Sequence, residues 1–499
     1  MIPFKRISYT LNFIRNVSNK FTSNSVCQYS AKIKPVVTTD ETVLNDINNS
    51  MFKPRKHPGI VKPKTVQLPE EFVKAVVNAL EDRPVKALAA DSRKLFLHLK
   101  GRNPPIEKEE LNRRVEQTKS KVLSRFDNVV INTDEEERRY NQMAGNKMEN
   151  ILRKSIYNWR PIRYDSHTCM LYLMARSAAE YAVLIKIFSE ISGRDPEFKP
   201  RSLFDFGSGI GTATWAANAY WKKQLYEYVN IDASREMNDL AQILLQGGRG
   251  SGTVPKNTFY RQFLPATKSM YDLVISAYSM MELPSLADRL QTIINLWNKT
   301  ERYLIIVEQG TNAGFKIVNE LRDYILQVKS EGNEGHVFSP CPNDETCPRF
   351  LLDDGTPCNF QVNYYTIPVG QTSVFKKELY SYVVLKKGKR TEPDIEWPRI
   401  VRPTLVRPRH TICRVCTAKG ELKEVIFTAK KHGKVTYHCA RASEWGDRLP
   451  LTVNFEAVDE TNCDISEVSS DSDRDDNVNE TICRVSDSEK CKSTDESNT

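Results

Sequence analysis

Between residues 165 and 191 the apolar residues Met170, Leu171, Leu173, Tyr181, Leu184 and Ile187 recur at helical spacing, which predicts one long amphipathic helix. The pattern then changes to short apolar runs bounded by turn residues. Runs at 203–206, 228–231, 271–276 and 303–307 predict strands, and the amphipathic segments 212–220, 236–246 and 286–297 between them predict helices. This alternation predicts a parallel sheet covered by helices on both faces. Upstream, residues 40–163 predict mostly helices with polar joints, including 68–80 after His57-Pro58-Gly59 and the charged stretch 134–157. No run of about 18 apolar residues occurs, so no membrane insertion is predicted.

Charge changes this picture by dividing the chain. The 499 residues, 40% hydrophobic, leave room for two or three domains with real cores. The net +9 conceals three regions. Residues 1–39 hold six bases (Lys5, Arg6, Arg15, Lys20, Lys32 and Lys34) and no acid, with Ile7, Leu11 and Ile14 at roughly helical spacing. That composition predicts a mitochondrial transit peptide and a matrix location, because Arg15 and the interleaved polar residues break the apolar core a secretory signal needs. Residues 456–499 hold fourteen acids against four bases, an acidic disordered tail. The body between carries +13, which suits a polyanionic partner. In a reducing matrix the eleven cysteines are better metal ligands than a disulfide framework.

Candidate chemistry begins where the first sheet strand ends, at Asp205-Phe206-Gly207-Ser208-Gly209-Ile210-Gly211-Thr212. Alternate glycines allow a tight turn and close ligand approach at a helix N-terminus. The motif departs from the dinucleotide fingerprint, since the sixth position counted from Gly207 is Thr212. It resembles motif I of class I S-adenosylmethionine methyltransferases. The resemblance implies Asp205 near the methionine moiety, Gly207, Gly209 and Gly211 forming the cradle, and Asp232 on the ribose hydroxyls, with S-adenosylmethionine a possible cofactor. After the 271–276 strand the chain reads Ser276-Ala277-Tyr278-Ser279-Met280-Met281-Glu282-Leu283-Pro284. This segment lacks the Asp/Asn-Pro-Pro-aromatic motif of enzymes that methylate an exocyclic amine on a flipped base, and it holds no Pro-Cys pair to supply a nucleophile. No catalytic residue is assigned; Tyr278 and Glu282 read as structural.

A second constellation lies downstream: Cys341 and Cys347 in Pro-bounded loops, Cys358 after Pro357, and the pair Cys413-x-x-Cys416. Four such cysteines suit tetrahedral zinc or an iron–sulfur cluster, and the knuckle-like pair tilts spacing alone toward zinc. Either Cys413 or Cys416 can supply the fourth thiolate. His336 reads as a hydrogen-bonding residue and Cys439 as a buried structural thiol; Cys463, Cys483 and Cys491 fall in the tail.

The glycine motif, the Ser339-to-Pro348 loop, Cys358-Asn359-Phe360, 375–382, Arg407-Pro408-Arg409-His410 and 443–447 together resemble a methyltransferase-like family of mitochondrial small-ribosomal-subunit assembly factors, with bacterial and fungal relatives. The resemblance runs from about residue 55 to 450. It implies a Rossmann-like α/β class I methyltransferase fold with a helical N-terminal region, a cysteine-ligated iron–sulfur module and a C-terminal β extension. It further implies a [4Fe–4S] cluster on Cys341, Cys347, Cys358 and Cys416. The expected partners are mitochondrial small-subunit rRNA with ribosomal proteins or assembly factors, and the expected role is assembly supporting mitochondrial translation, without catalysis. The alternative is an active S-adenosylmethionine-dependent rRNA methyltransferase. The expected division is 1–39 leader, 40–164 helical region, 165–395 methyltransferase-like domain with the cysteine loop at 336–360, 396–455 basic extension and 456–499 tail. Arg399, Arg402, Arg407, Arg409, His410 and Arg414 are the expected rRNA-facing residues, followed by Lys423, Lys430, Lys431, His432 and Lys434 on a predicted hairpin.

Overall fold

Five helices, α1 (Glu41–Asn48), α2 (Glu70–Ala79), α3 (Val85–Lys100), α4 (Lys108–Leu123) and α5 (Asp134–Ser155), precede the long α6 (Ser166–Arg194) in this computed structural model. It describes residues 34–124, 133–156, 159–328, 333–369, 372–390 and 396–456. The acidic tail and most of the expected leader lie outside the described residues. Among those described, no helix is long and apolar enough to cross a membrane.

Helix α6 starts at Asp165, whose carboxylate accepts from the Thr168 N–H at 2.8 Å, the expected capping chemistry. Its apolar residues occupy nearly the whole circumference, so it is buried rather than laid on the surface. Three of the charged residues it carries, Arg176, Glu180 and Glu190, are buried too and must find partners.

The sheet is built on β3 (Ser202–Phe206), β4 (Glu227–Ile231), β5 (Thr258–Arg261), β6 (Tyr271–Ala277) and β7 (Thr300–Gln309), all parallel in the order β7-β6-β3-β4-β5. Helices α7 (Thr212–Trp221), α8 (Arg235–Leu245) and α9 (Leu286–Asn298) connect them, and α10 (Asn312–Gln327) follows β7. Strand alternation divides the core. Leu203, Leu273, Ile275 and Ile305 face α6, while Phe204, Val274, Leu304 and Ile306 face α9 and α10. This is the expected α/β sheet.

The far side of β7 carries the feature that builds the cysteine site. Strand β10 (Phe375–Lys387) runs antiparallel to β7, and two strands share its other edge. β8 (Gly335–Ser339) pairs with Val384 to Lys387, and β9 (Phe360–Tyr365) pairs with Phe375 to Tyr380. Residues 340–359, including the short α11 (Pro348–Leu352), are therefore an insertion that splits one edge strand in two. The short β2 (Thr65–Val66) extends β9 in parallel.

Residues 396–456 form a lobe with its own core. Strands β11 (Arg399–Ile400), β12 (Leu405–Val406), β13 (Thr411–Cys416) and β14 (Leu422–Phe427) make a four-stranded sheet, backed by α12 (Ala429–His432) and α13 (Lys434–Ala442). Ile400, Cys413, Val415, Val425 and Phe427 fill it. Lys430, Lys431 and Lys434 thus belong to helices, correcting the predicted hairpin; Thr428 caps α12 by accepting from the Lys431 N–H. β15 (Leu451–Glu456) pairs with β1 (Lys34–Thr39), and the Asp40 N–H donates to the Pro450 carbonyl at 3.0 Å. Strand β1 therefore falls inside the span expected for the leader.

Candidate functional site

The insertion and the lobe bring the four cysteines together. Cys341, Cys347, Cys358 and Cys416 share the wall of a small cavity, about 20 Å³, with Pro340, Pro348, Phe360, Val401 and Leu422; a second cavity of similar size adjoins it through the first three thiols. All four are free. Burial first, and neighbouring cysteines next, push the Cys347 thiol up to about 11 and raise Cys358 and Cys416 as well. Among the described residues, no group of three or more His, Cys, Asp or Glu side chains is arranged to hold a metal ion.

Each thiol-bearing segment is locked from outside. The Arg322 guanidinium on α10, buried beneath the loop, donates to the Asn343 and Glu345 carbonyls at 3.3 and 2.8 Å and lies in electrostatic reach of Cys341 and Cys347. The Asn343 amide donates to the Thr417 carbonyl at 2.8 Å, tying the loop to the end of β13. Arg402 donates to Asn359 Oδ1 and the Pro357 carbonyl on either side of Cys358, whose own carbonyl accepts from Ser381 Oγ. Cys413 is absent from this cavity. Residues three apart on a strand face opposite sides, so Cys413 enters the lobe core near the Ala440 carbonyl while Cys416 faces the insertion. The knuckle reading fails because the pair lies on a strand. His336 is buried on β8 with Nδ1 2.9 Å from the Gly388 carbonyl.

The basic segment needs a correction. Arg399 is only 2% exposed and faces inward, donating to both oxygens of the buried Glu190 at 3.1 and 2.5 Å, and to the Pro340 and Gly446 carbonyls. Arg402 holds the Cys358 loop, and Arg414 pairs with Glu424 at 2.8 Å. Arg407 and Arg409 remain exposed. Arginines in a Pro-punctuated segment read as surface residues; the missed signal was Glu190, an acid inside an apolar helix that requires a buried cation.

The glycine motif closes β3 as expected. Gly207, Gly209 and Gly211 all have positive φ, and a Cβ on Gly207 would stand 2.3 Å from Ser279 Cβ, so this turn needs glycine. Asp232 ends β4, but its carboxylate already accepts from the Gly209 N–H at 2.8 Å and the Ser234 N–H at 2.9 Å. Sequence reasoning missed the residues around this cleft. Tyr172, Arg176 and Glu180 form an i, i+4, i+8 stripe on α6, with Tyr172 donating to Glu180 and Arg176 bonded to Glu180 and Glu378. The Arg176 guanidinium stands between the Tyr278 ring at 4.7 Å and Phe96 at 5.9 Å. Phe96 lines a separate cavity of about 120 Å³ with Met174, Ala178, Tyr364 and Ile367. From the N-terminal helices, buried Arg102 ion-pairs with Glu282, and Tyr164 donates to the same carboxylate at 3.3 Å. Tyr278 and Glu282 thus have structural partners.

Asp205 is buried beneath the turn; burial first, then Asp232 and Glu180, push its carboxyl up to about 8. A folded-state value above the unfolded one means the native state holds the proton longer, so this group's contribution to stability falls as pH rises from about 4 to about 8. Asp205→Asn is expected to flatten that decline and to raise the unfolding temperature at pH 8 relative to the parent, measured by thermal melts across pH. An unchanged pH profile would contradict the assigned environment.

The chain matches the family described as mitochondrial small ribosomal subunit Rsm22 over residues 166–450. The human ribosome assembly protein METTL17, mitochondrial, is 37% identical over 404 residues, 80% of this chain and 86% of the human one. The Rsm22-cox11 tandem protein 2, mitochondrial, of Schizosaccharomyces pombe is 26% identical over 341 residues, 56% of this chain and 43% of that protein. Among solved structures, magnesium protoporphyrin IX methyltransferase from Synechocystis, with bound SAM, is similar over 52% of this chain and 100% of its own, at 12% identity and a TM-score of 0.27. With the glycine cleft, all four cysteines and most of the lobe inside the matched span, this chain belongs to the Rsm22 family and is mitochondrial.

Proposed function

We propose that this chain is an assembly factor of the mitochondrial small ribosomal subunit, acting in the matrix, that binds small-subunit rRNA and works with ribosomal proteins or other assembly factors without transferring a methyl group. Family membership and the names of its relatives support the assembly role. In this reading a [4Fe–4S] cluster joins the lobe to the α/β body through Cys341, Cys347, Cys358 and Cys416. The observation that carries it is the donor set: four free thiols from a split edge strand and a second sheet, facing one small space without imidazole or carboxylate. Bound there, the cluster would cross-link the insertion to the lobe through its four thiolates. Arg322, Asn343 and Arg402 hold the loops in place for it. The accompanying division is a leader at 1–39, a helical region at 40–164, a methyltransferase-like body at 165–395, a basic extension at 396–455 and the acidic tail at 456–499.

Absence of catalysis is supported by two contacts. Arg176, buried and permanently charged, sits with its guanidinium 4.7 Å from the Tyr278 ring, so the aromatic side chain that follows β6 is engaged by the protein itself. Arg102 and Tyr164 engage Glu282. Cofactor binding without turnover is favoured by the three positive-φ glycines and by Ser208 Oγ and Tyr278 OH, both buried without a hydrogen-bond partner. The role is tested by crosslinking the tagged protein in mitochondria and sequencing the recovered RNA. Enrichment of small-subunit rRNA is expected, with small subunits depleted when the chain is absent; recovery of no rRNA contradicts the reading. Purified protein with labelled S-adenosylmethionine is expected to leave small-subunit rRNA unlabelled, and methyl transfer would establish the alternative.

A further inference from the structure

The edge of the main sheet farthest from the cysteines bears a surface that the assembly reading does not use. Between Asp239 and Asp272 the sequence contains no acid and four bases, Arg249, Lys256, Arg261 and Lys268. Asp272 itself is turned inward, accepting from Ser202 Oγ and from the Arg201 and Ser202 N–H groups. Strand β5 lies in this stretch at the end of the sheet order, and among the described residues no strand pairs with its outer edge. Phe259 and Arg261 project from one face, alternating with the more covered Thr258 and Tyr260. Their β4 partners, Val229 and Ile231, are buried in the core, so the pair marks where helical cover stops. Just beyond the strand, Phe263 is 81% exposed, and Phe259 is 42% exposed. Arg249 pairs with Glu81, whereas Lys256, Arg261 and Lys268 form no ion pair among the described residues.

Cations on a free sheet edge commonly guard it against pairing with another chain. Exposed rings do the opposite, so a guard does not explain Phe259 and Phe263. Rings and cations interleaved along an extended strand do fit a single-stranded polyanion with planar bases, which stacks on the rings and sets its phosphates against the cations. We infer that β5 and the segment after it form a stacking platform for single-stranded RNA, with Phe259 and Phe263 as base-stacking residues and Arg261, Lys256 and Lys268 as phosphate contacts. This rests on the reading that the chain binds rRNA and assigns the single-stranded part of that contact.

The test titrates the full-length protein with a fluorescent single-stranded uridine oligoribonucleotide. Phe263→Ala and Phe259→Leu, the latter keeping apolar area but losing the ring, are each expected to weaken binding about 5-fold or more. Arg261→Gln is expected to reduce the salt slope by about 0.7. Unchanged unfolding temperatures verify that each variant folds. Binding unaffected by both ring variants but weakened by Arg407→Gln plus Arg409→Gln overturns the platform and leaves rRNA binding standing. Parent protein that binds no oligonucleotide also overturns it, and the mitochondrial crosslinking then decides the assembly role separately. Ring variants that leave RNA binding intact but release a ribosomal protein overturn it in favour of a protein partner.

Discussion

Arg399→Ala is expected to destabilise the fold by about 3 kcal/mol, near the lower end of the range for breaking a buried ion pair. Both partners are almost wholly buried, and the guanidinium meets both carboxylate oxygens of Glu190. The lower end applies because Arg194 also reaches Glu190, at 3.0 Å and 16% side-chain exposure, and remains as a second cation. Burial alone would raise the Glu190 carboxyl; Arg399 and then Arg194 outweigh it and hold it at about 2. A depressed folded-state value stabilises above the unfolded value and loses that contribution as pH falls from about 4.5 to about 2. Urea unfolding of parent and variant should therefore converge as the solution is acidified through that window. Replacing both residues, Glu190→Leu with Arg399→Met, is expected to recover only part of the loss, since it removes the buried charge pair but takes from Arg194 its Glu190 partner. A single variant as stable as the parent at pH 7 would contradict this account of the seam.

Cys416→Ser is the second change of large effect. Cys416 is the one thiol the lobe brings to the shared cavity, so if the proposed cluster sits there its loss is expected to abolish the cluster's visible absorbance in anaerobically purified protein. The lobe at 396–456 should then become sensitive to limited proteolysis, because the cross-link that the proposed cluster would make between sheet and insertion is lost. Cys413→Ala is the control. That side chain sits in the lobe core, so its truncation should cost on the order of 1 kcal/mol as a small cavity and leave the colour intact. Colour lost in the Cys413 variant and kept in the Cys416 variant would reverse the assignment.

These expectations also mark where sequence and structure part. The βα alternation was legible because each strand is an apolar run between amphipathic helices, and those elements form where the pattern puts them. The glycine turn was equally legible, since left-handed backbone beside Ser279 demands glycine. The four thiols were found as residue types in rigid loops, but the split edge strand that assembles them depends on β10, whose pairing partners are distant in sequence. The choice between Cys413 and Cys416 turned on strand alternation, invisible while the pair was read as a loop. The arginine segment misled for the opposite reason. Composition cannot tell a guanidinium that faces solvent from one that neutralises a buried acid more than 200 residues earlier in the chain. Arg102 and Tyr164 come from the N-terminal region, whose role no local pattern encodes.

Iron, zinc and acid-labile sulfide analysis of protein purified without oxygen decides whether the cysteine seam holds the proposed iron–sulfur cluster. About four iron and four sulfide per chain are expected. One zinc per chain with no sulfide would contradict that assignment.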